Sequence, residues 1–168
     1  MKNRIFIGEF IGSAFLVMII VGSGIMAQNL TRDFAVMLLA NTIATGAGLF
    51  VLINSIANIS GAHFNPVVTM TMYFTKKIKK DLIFTYISAQ ILGCLLGVML
   101  ANFMFDLPFI ELSSKARPGF NIFIAEVIAT FGLIFIIFGS LKNGTVAVAA
   151  SVATCLLYTS DAADDASS

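Results

Sequence analysis

Apolar residues run through this chain in long blocks separated by short polar clusters, with no sustained alternation of the kind a half-buried strand would show. Five blocks stand out, over 5–27, 34–58, 82–105, 120–141 and, shorter, 145–158. A helix needs ~20 predominantly apolar residues to cross the hydrocarbon core of a bilayer, so the blocks predict membrane-spanning helices. Between the second and third blocks the pattern changes. "SGAHFNPVVT" at 60–69 places Gly, His, Asn and Pro where a span should have ended, "VVTMTMYF" then continues apolar, and "KKIKK" follows at 76–80.

Composition sharpens this picture. Of 168 residues, 58% are hydrophobic and 11% charged, against about a quarter charged in soluble domains, and the mean hydropathy is +0.96. The reading is an all-α, polytopic membrane protein. A net charge of +1 without a basic stripe offers nothing to nucleic acid. Cys94 and Cys155 lie in apolar blocks at a spacing unrelated to metal sites, so neither a metal nor a cofactor is expected. The opening "MKNRIFIGEFIGSAF" begins like a signal peptide, but Glu9 interrupts the run and the run is too long, so it reads as a retained first span.

Positive charge orients the spans. With the N-terminus in the cytoplasm, Lys2, Arg4, Lys76, Lys77, Lys79, Lys80 and Lys142 lie inside, seven against three outside (Arg32, Lys115, Arg117).

Two pairs of segments repeat. "EFIGSAFLVMIIVGS" at 9–23 matches "EVIATFGLIFIIFGS" at 126–140, offset 117, and "ANTIATG" at 40–46 matches "AASVATC" at 149–155, offset 109. Three spans between Glu9 and Glu126 force the second copy into the membrane upside down, an inverted repeat of the kind that places a substrate path at the midplane. Carried forward by either offset, Asn65 would have its partner near 174 or 182, beyond the last residue given. The closing "YTSDAADDASS" breaks the pattern. The expectation is therefore one unit over 1–157, with a first repeat at 1–105 and part of a second at 120–157, and a non-native tail at 158–168.

The Asn-Pro pair has its own chemistry. Pro is favoured at the first helical position, where its missing N–H costs nothing, and Asn is among the best N-caps. Asn65-Pro66 therefore starts a helix of about ten residues, ~15 Å long, half a bilayer. Such a helix re-enters and leaves on the side it came from. Its lead-in, 58–64, must be buried in protein or line water, because lipid leaves bare backbone unsatisfied. The helix N-terminus then points its positive end at the membrane centre and disfavours cations there. The tethered Asn65 amide can donate to a passing oxygen while the carbonyls of Gly61, Ala62 and His63 accept. Donor, acceptors and an apolar wall suit small neutral polar solutes.

These residues resemble the major intrinsic protein family, the aquaporins and aquaglyceroporins. "ISGAHFNPVVT" resembles the family's first Asn-Pro-Ala loop, "GEFIGSAFLV" its first helix and "YISAQILGCLLG" its third, so that the likeness covers 1–157. It implies an aquaporin-like inverted repeat with about five of six transmembrane helices plus one re-entrant half-helix, usually assembled as a homotetramer in the cell membrane. Asn65, Pro66, Val67, Gly61, Ala62, His63 and Thr45 would line the pore, and Glu9, Gln90 and Glu126 would be buried polar braces of the re-entrant loops. The function implied is passive passage of water and small neutral solutes such as glycerol, urea or neutral metalloid acids. Three features depart from the family pattern. Val67 stands in place of Ala, and Thr45 falls where water channels carry Phe and glycerol channels Trp, suggesting a wider filter. The second Asn-Pro-Ala turn and its arginine have no counterpart within the residues given. An ion-coupled transporter with broken helices is the competing reading, but it would want charges facing the midplane, and only Glu9 and Glu126 are offered. No paired carboxylates or activated nucleophile occur at catalytic spacing, so an enzyme is not expected.

Overall fold

The computed structural model describes residues 1–110 and 120–139, together with 148, 149 and 152. The expected tail at 158–168 and most of the 145–158 block lie outside the described residues. Among those described there are five helices and no strand: α1 (Lys2–Leu30), α2 (Phe34–Ser60), α3 (Pro66–Phe74), α4 (Lys80–Met104) and α5 (Phe120–Gly139).

Helices α1, α2 and α4 are long and apolar enough to cross a membrane, and their 29, 27 and 25 residues span ~38–44 Å. The 20 residues of α5 span ~30 Å. Local chemistry sets the boundaries. Asp33 caps α2, its side chain accepting from the N–H groups of Ala35 (2.9 Å) and Val36 (3.2 Å). Gly61 closes α2 with φ 96, a left-handed conformation that glycine adopts without a Cβ penalty. Asn65 caps α3 and Pro66 occupies its first turn. The half-helix foreseen over "VVTMTMYF" is thus a separate nine-residue element, bounded by non-helical backbone on both sides.

Small residues let the helices meet. A Cβ on Gly93 or Gly97 would run into the carbonyl oxygens of Phe10 and Ala14, so α4 lies backbone to backbone on α1, the close crossing that small-xxx-small spacing permits. Gly8 and Gly12 have the same spacing but serve differently. They receive Ser60 at the end of α2 and the ring of Phe64 in the following turn. Both pairs work within the chain.

Polar ends fix the directions. Lys2 pairs with Asp81 at 3.6 Å, and Ile5, Leu82, Tyr86 and Ile78 cluster just inside. The starts of α1 and α4 therefore share one face with the lysines of 76–80. At the same face Lys77 Nζ lies 4.3 Å over the Phe138 ring near the end of α5. So α1 rises from the lysine face and α5 descends to it, the opposite directions expected for the two matching segments that begin at Glu9 and Glu126.

Candidate functional site

The turn between α2 and α3 is held at depth by α1 and α4. Glu9 lies seven residues beyond Lys2 and Gln90 ten beyond Lys80, ~10 Å and ~15 Å in from the lysine face. Nine residues of α3 then return ~14 Å to the lysines. The chain goes in about halfway and comes back.

Glu9 is fully buried, and four donors converge on it. Its Oε1 accepts from the Ser60 hydroxyl (2.6 Å) and the His63 N–H (3.0 Å), and its Oε2 from the Phe64 N–H (2.8 Å) and Gln90 Nε2 (2.8 Å). An ionised carboxylate, which can only accept, matches this set. Holding consecutive N–H groups on one carboxylate forces an unusual backbone. Ala62 (φ 52) and Phe64 (φ 50) are left-handed without being glycine, at ~1–2 kcal/mol per residue.

The same anchoring aims the carbonyls. In a planar trans peptide the C=O points opposite to the N–H. With the N–H groups of His63 and Phe64 directed at Glu9, the carbonyls of Ala62 and His63 face away from α1. The Ala62 N–H goes to Ser60 Oγ (3.2 Å), which turns the Gly61 carbonyl likewise. Gly61, Ala62, His63 and Asn65 all border a cavity of 620 Å³. Its apolar walls include Leu16 and Ile20 of α1, Leu49 and Ile53 of α2, and Leu133 and Ile137 of α5.

Asn65 sits at the mouth of α3. Its Oδ1 accepts from the N–H groups of Val67 (2.7 Å) and Val68 (3.4 Å). That commits the amide oxygen to the backbone and leaves the NH2 as the group to offer elsewhere. Thr69, one turn on, ties the parts together. It donates to the Asn65 carbonyl (3.2 Å), accepts from Gln90 Nε2 (3.1 Å) and shares a 3.1 Å bond with His63 Nδ1. A hydroxyl has one proton. Once it is given to Asn65, His63 Nδ1 must be the donor in the third bond. The His63 ring also stacks on Tyr86, centroids 4.4 Å apart, and the Tyr86 hydroxyl donates to the Ser60 carbonyl.

Not every expected residue lies where the sequence suggested. Thr45 is fully buried, its hydroxyl donating to Asn41 Oδ1 (3.3 Å), and does not border the cavity. At that level α2 is drawn onto α1 by the bond from Ser23 Oγ to Asn41 Oδ1 (2.9 Å), and its cavity-facing positions are Leu49 and Ile53 instead. Pro66 and Val67 are exposed and also stand off the cavity; Val68 and Met72 border it. Glu126, expected as a buried brace, is instead exposed and borders the cavity from α5, because α5 leaves that face of the helix open toward the cavity. Tyr86, Thr69, Ser60 and Phe64 escaped the sequence reading. The signal for Tyr86 was its position one turn before Gln90, on the helix face that continues through Gly93 and Gly97.

A turn of bare carbonyls set halfway along membrane-length helices, closed by a capped half-helix, defines a multi-pass membrane protein of the broken-helix type. The chain belongs to the major intrinsic protein family, whose profile matches residues 1–163. It is 42% identical over 136 residues to aquaglyceroporin AqpS of Rhizobium meliloti (strain 1021), a match covering 81% of this chain and 58% of that protein. It is 31% identical over 156 residues to aquaporin TIP1-1 of Arabidopsis thaliana, covering 88% and 62%. The chain thus spans little more than half the length of these curated relatives. The X-ray structure of the aquaglyceroporin from Plasmodium falciparum shares the fold, with a TM-score of 0.71 at 24% identity over 94% of this chain and 71% of that one.

Proposed function

We propose that the protein is a passive channel for water and small neutral solutes, with glycerol, urea and neutral metalloid acids as candidate cargo. The observation carrying this reading is the Glu9-anchored turn. It presents the carbonyls of Gly61, Ala62 and His63 and the Asn65 amide to one apolar-walled cavity, an array of acceptors and a donor suited to uncharged polar molecules. Glu9 and Gln90 brace this turn, and Glu126 is the counterpart of Glu9 for the second repeat. The electropositive start of α3 opposes cation entry. The cell membrane is the proposed location, with the N-terminus and the lysine face cytoplasmic and a homotetramer as the assembly. The relatives named aquaporin and aquaglyceroporin support the solute class.

Stopped-flow light scattering on proteoliposomes tests the reading. Swelling in a glycerol gradient should exceed that of empty vesicles and be unchanged by a pH or sodium gradient. A requirement for either gradient would replace the channel with the ion-coupled transporter.

A further inference from the structure

We infer that the lysine face carries a binding site for one anionic phospholipid, its phosphate on Lys76, Lys79 and Lys80 and an acyl chain along α4. Three observations lead there. First, the 76–80 loop is built rather than loose. Ile78 packs on the Ile5, Leu82 and Tyr86 cluster, and the N–H groups of Lys76 and Lys77 bond back to the carbonyls of Tyr73 (2.9 Å) and Met72 (2.8 Å). Second, Lys76 has φ 60. It occupies the left-handed position after a helix end where glycine is favoured, so backbone ease is given up and a cation stands there. Third, Lys80, Phe84, Ile91 and Leu95 form one stripe of α4, and Phe84 is 81%, Ile91 53% and Leu95 58% exposed. A cation at the foot of an exposed apolar stripe complements a lipid with an anionic head and a tail.

Two of the neighbouring lysines already have partners. Lys77 lies over Phe138, and Lys2 pairs with Asp81 on the loop's flank. The excess positive charge on Lys76, Lys79 and Lys80 is left for the headgroup, and clusters of this kind just cytoplasmic of a span attract anionic lipid.

The inference rests on the membrane placement proposed above, but its readout is lipid retention, so failed conduction leaves it standing. Native mass spectrometry of the detergent-purified protein, offered equimolar dioleoyl-phosphatidylglycerol and dioleoyl-phosphatidylcholine, should show the anionic lipid retained at least about fivefold over the zwitterionic one. Lys76→Gln with Lys79→Gln and Lys80→Gln should together bring that ratio to unity. The matching triple arginine variant should keep it, and Phe84→Ala should lower total retention while preserving the ratio. Equal retention of both lipids, or an unchanged ratio in the glutamine variant, overturns the inference. So does displacement by inorganic phosphate alone, which would mean an ion site, or cross-linking of a Phe84→Cys chain to a second copy, which would mean that a protomer covers the stripe.

Discussion

Replacing Glu9 with Gln changes one atom and strikes the centre of the buried network. The carboxylate accepts four hydrogen bonds, whereas an amide offers one accepting oxygen and a nitrogen that must donate. With the nitrogen in the Oε1 position, the Ser60 hydroxyl and the His63 N–H meet a donor. In the Oε2 position, the Phe64 N–H and Gln90 do. In the second arrangement the Gln90 amide can turn so that its Oε1, which has no hydrogen-bond partner among the described residues, accepts, but this gives up the Gln90 Nε2 bond to Thr69. The loss then falls on the Phe64 N–H and on the Gln90–Thr69 bond. A buried donor left unpaired costs about 1–3 kcal/mol, and two such donors would cost roughly 2–6 kcal/mol. Left-handed Ala62 and Phe64, held in place by these bonds, pull in the same direction. At about 1.4 kcal/mol per tenfold, a loss of 1–3 kcal/mol opens the turn some 5- to 150-fold more often. Hydrogen–deuterium exchange of peptides covering 60–66 reads this directly. The His63 and Phe64 amides should exchange faster by that factor, while the α1–α4 crossing at Gly93 keeps its protection. Unchanged exchange at 63 and 64 would refute the claim that Glu9 holds the turn.

Three further outcomes follow from the same geometry. Gly93→Ala drives a Cβ into the Phe10 carbonyl, so α1 and α4 must part at a cost of about 1–3 kcal/mol. Thermal unfolding in detergent should show a lowered midpoint, and a wild-type midpoint would mean the crossing is looser than described. Asn65→Ala removes the cap of α3, worth about 0.5–2 kcal/mol, and with it the donor at the cavity; solute flux in proteoliposomes should fall while the protein still inserts. Tyr86→Phe deletes the bond to the Ser60 carbonyl but keeps the stack on His63, and should cost about 1 kcal/mol. Tyr86→Ala removes both and should be clearly worse, so equal effects would assign no role to the ring contact.

The half-helix was legible because its causes are local. Asn before Pro caps a helix in any setting, and the distance from Pro66 to the lysines fixes its length. The spans were legible for a similar reason, since hydrocarbon tolerates little but continuous apolar helix. The opposite directions of α1 and α5 needed only a count of crossings. Glu9 could be singled out, because a carboxylate inside an apolar run demands a partner, and Gln90 was named as a brace from the family resemblance, but which groups Glu9 holds could not be read. Ser60, His63, Phe64 and Gln90 lie 51 to 81 positions away along the chain, and only the Gly93 and Gly97 crossing brings α4 close enough for Gln90 to reach. Thr45 shows the limit in the other direction. Counting back from Asn65 places a residue along α2 but says nothing of its outlook, and the Ser23–Asn41 bond decides that α1 covers it. Residue type and spacing determined what each segment must be in a bilayer; helix packing decided which of its faces the cavity would see.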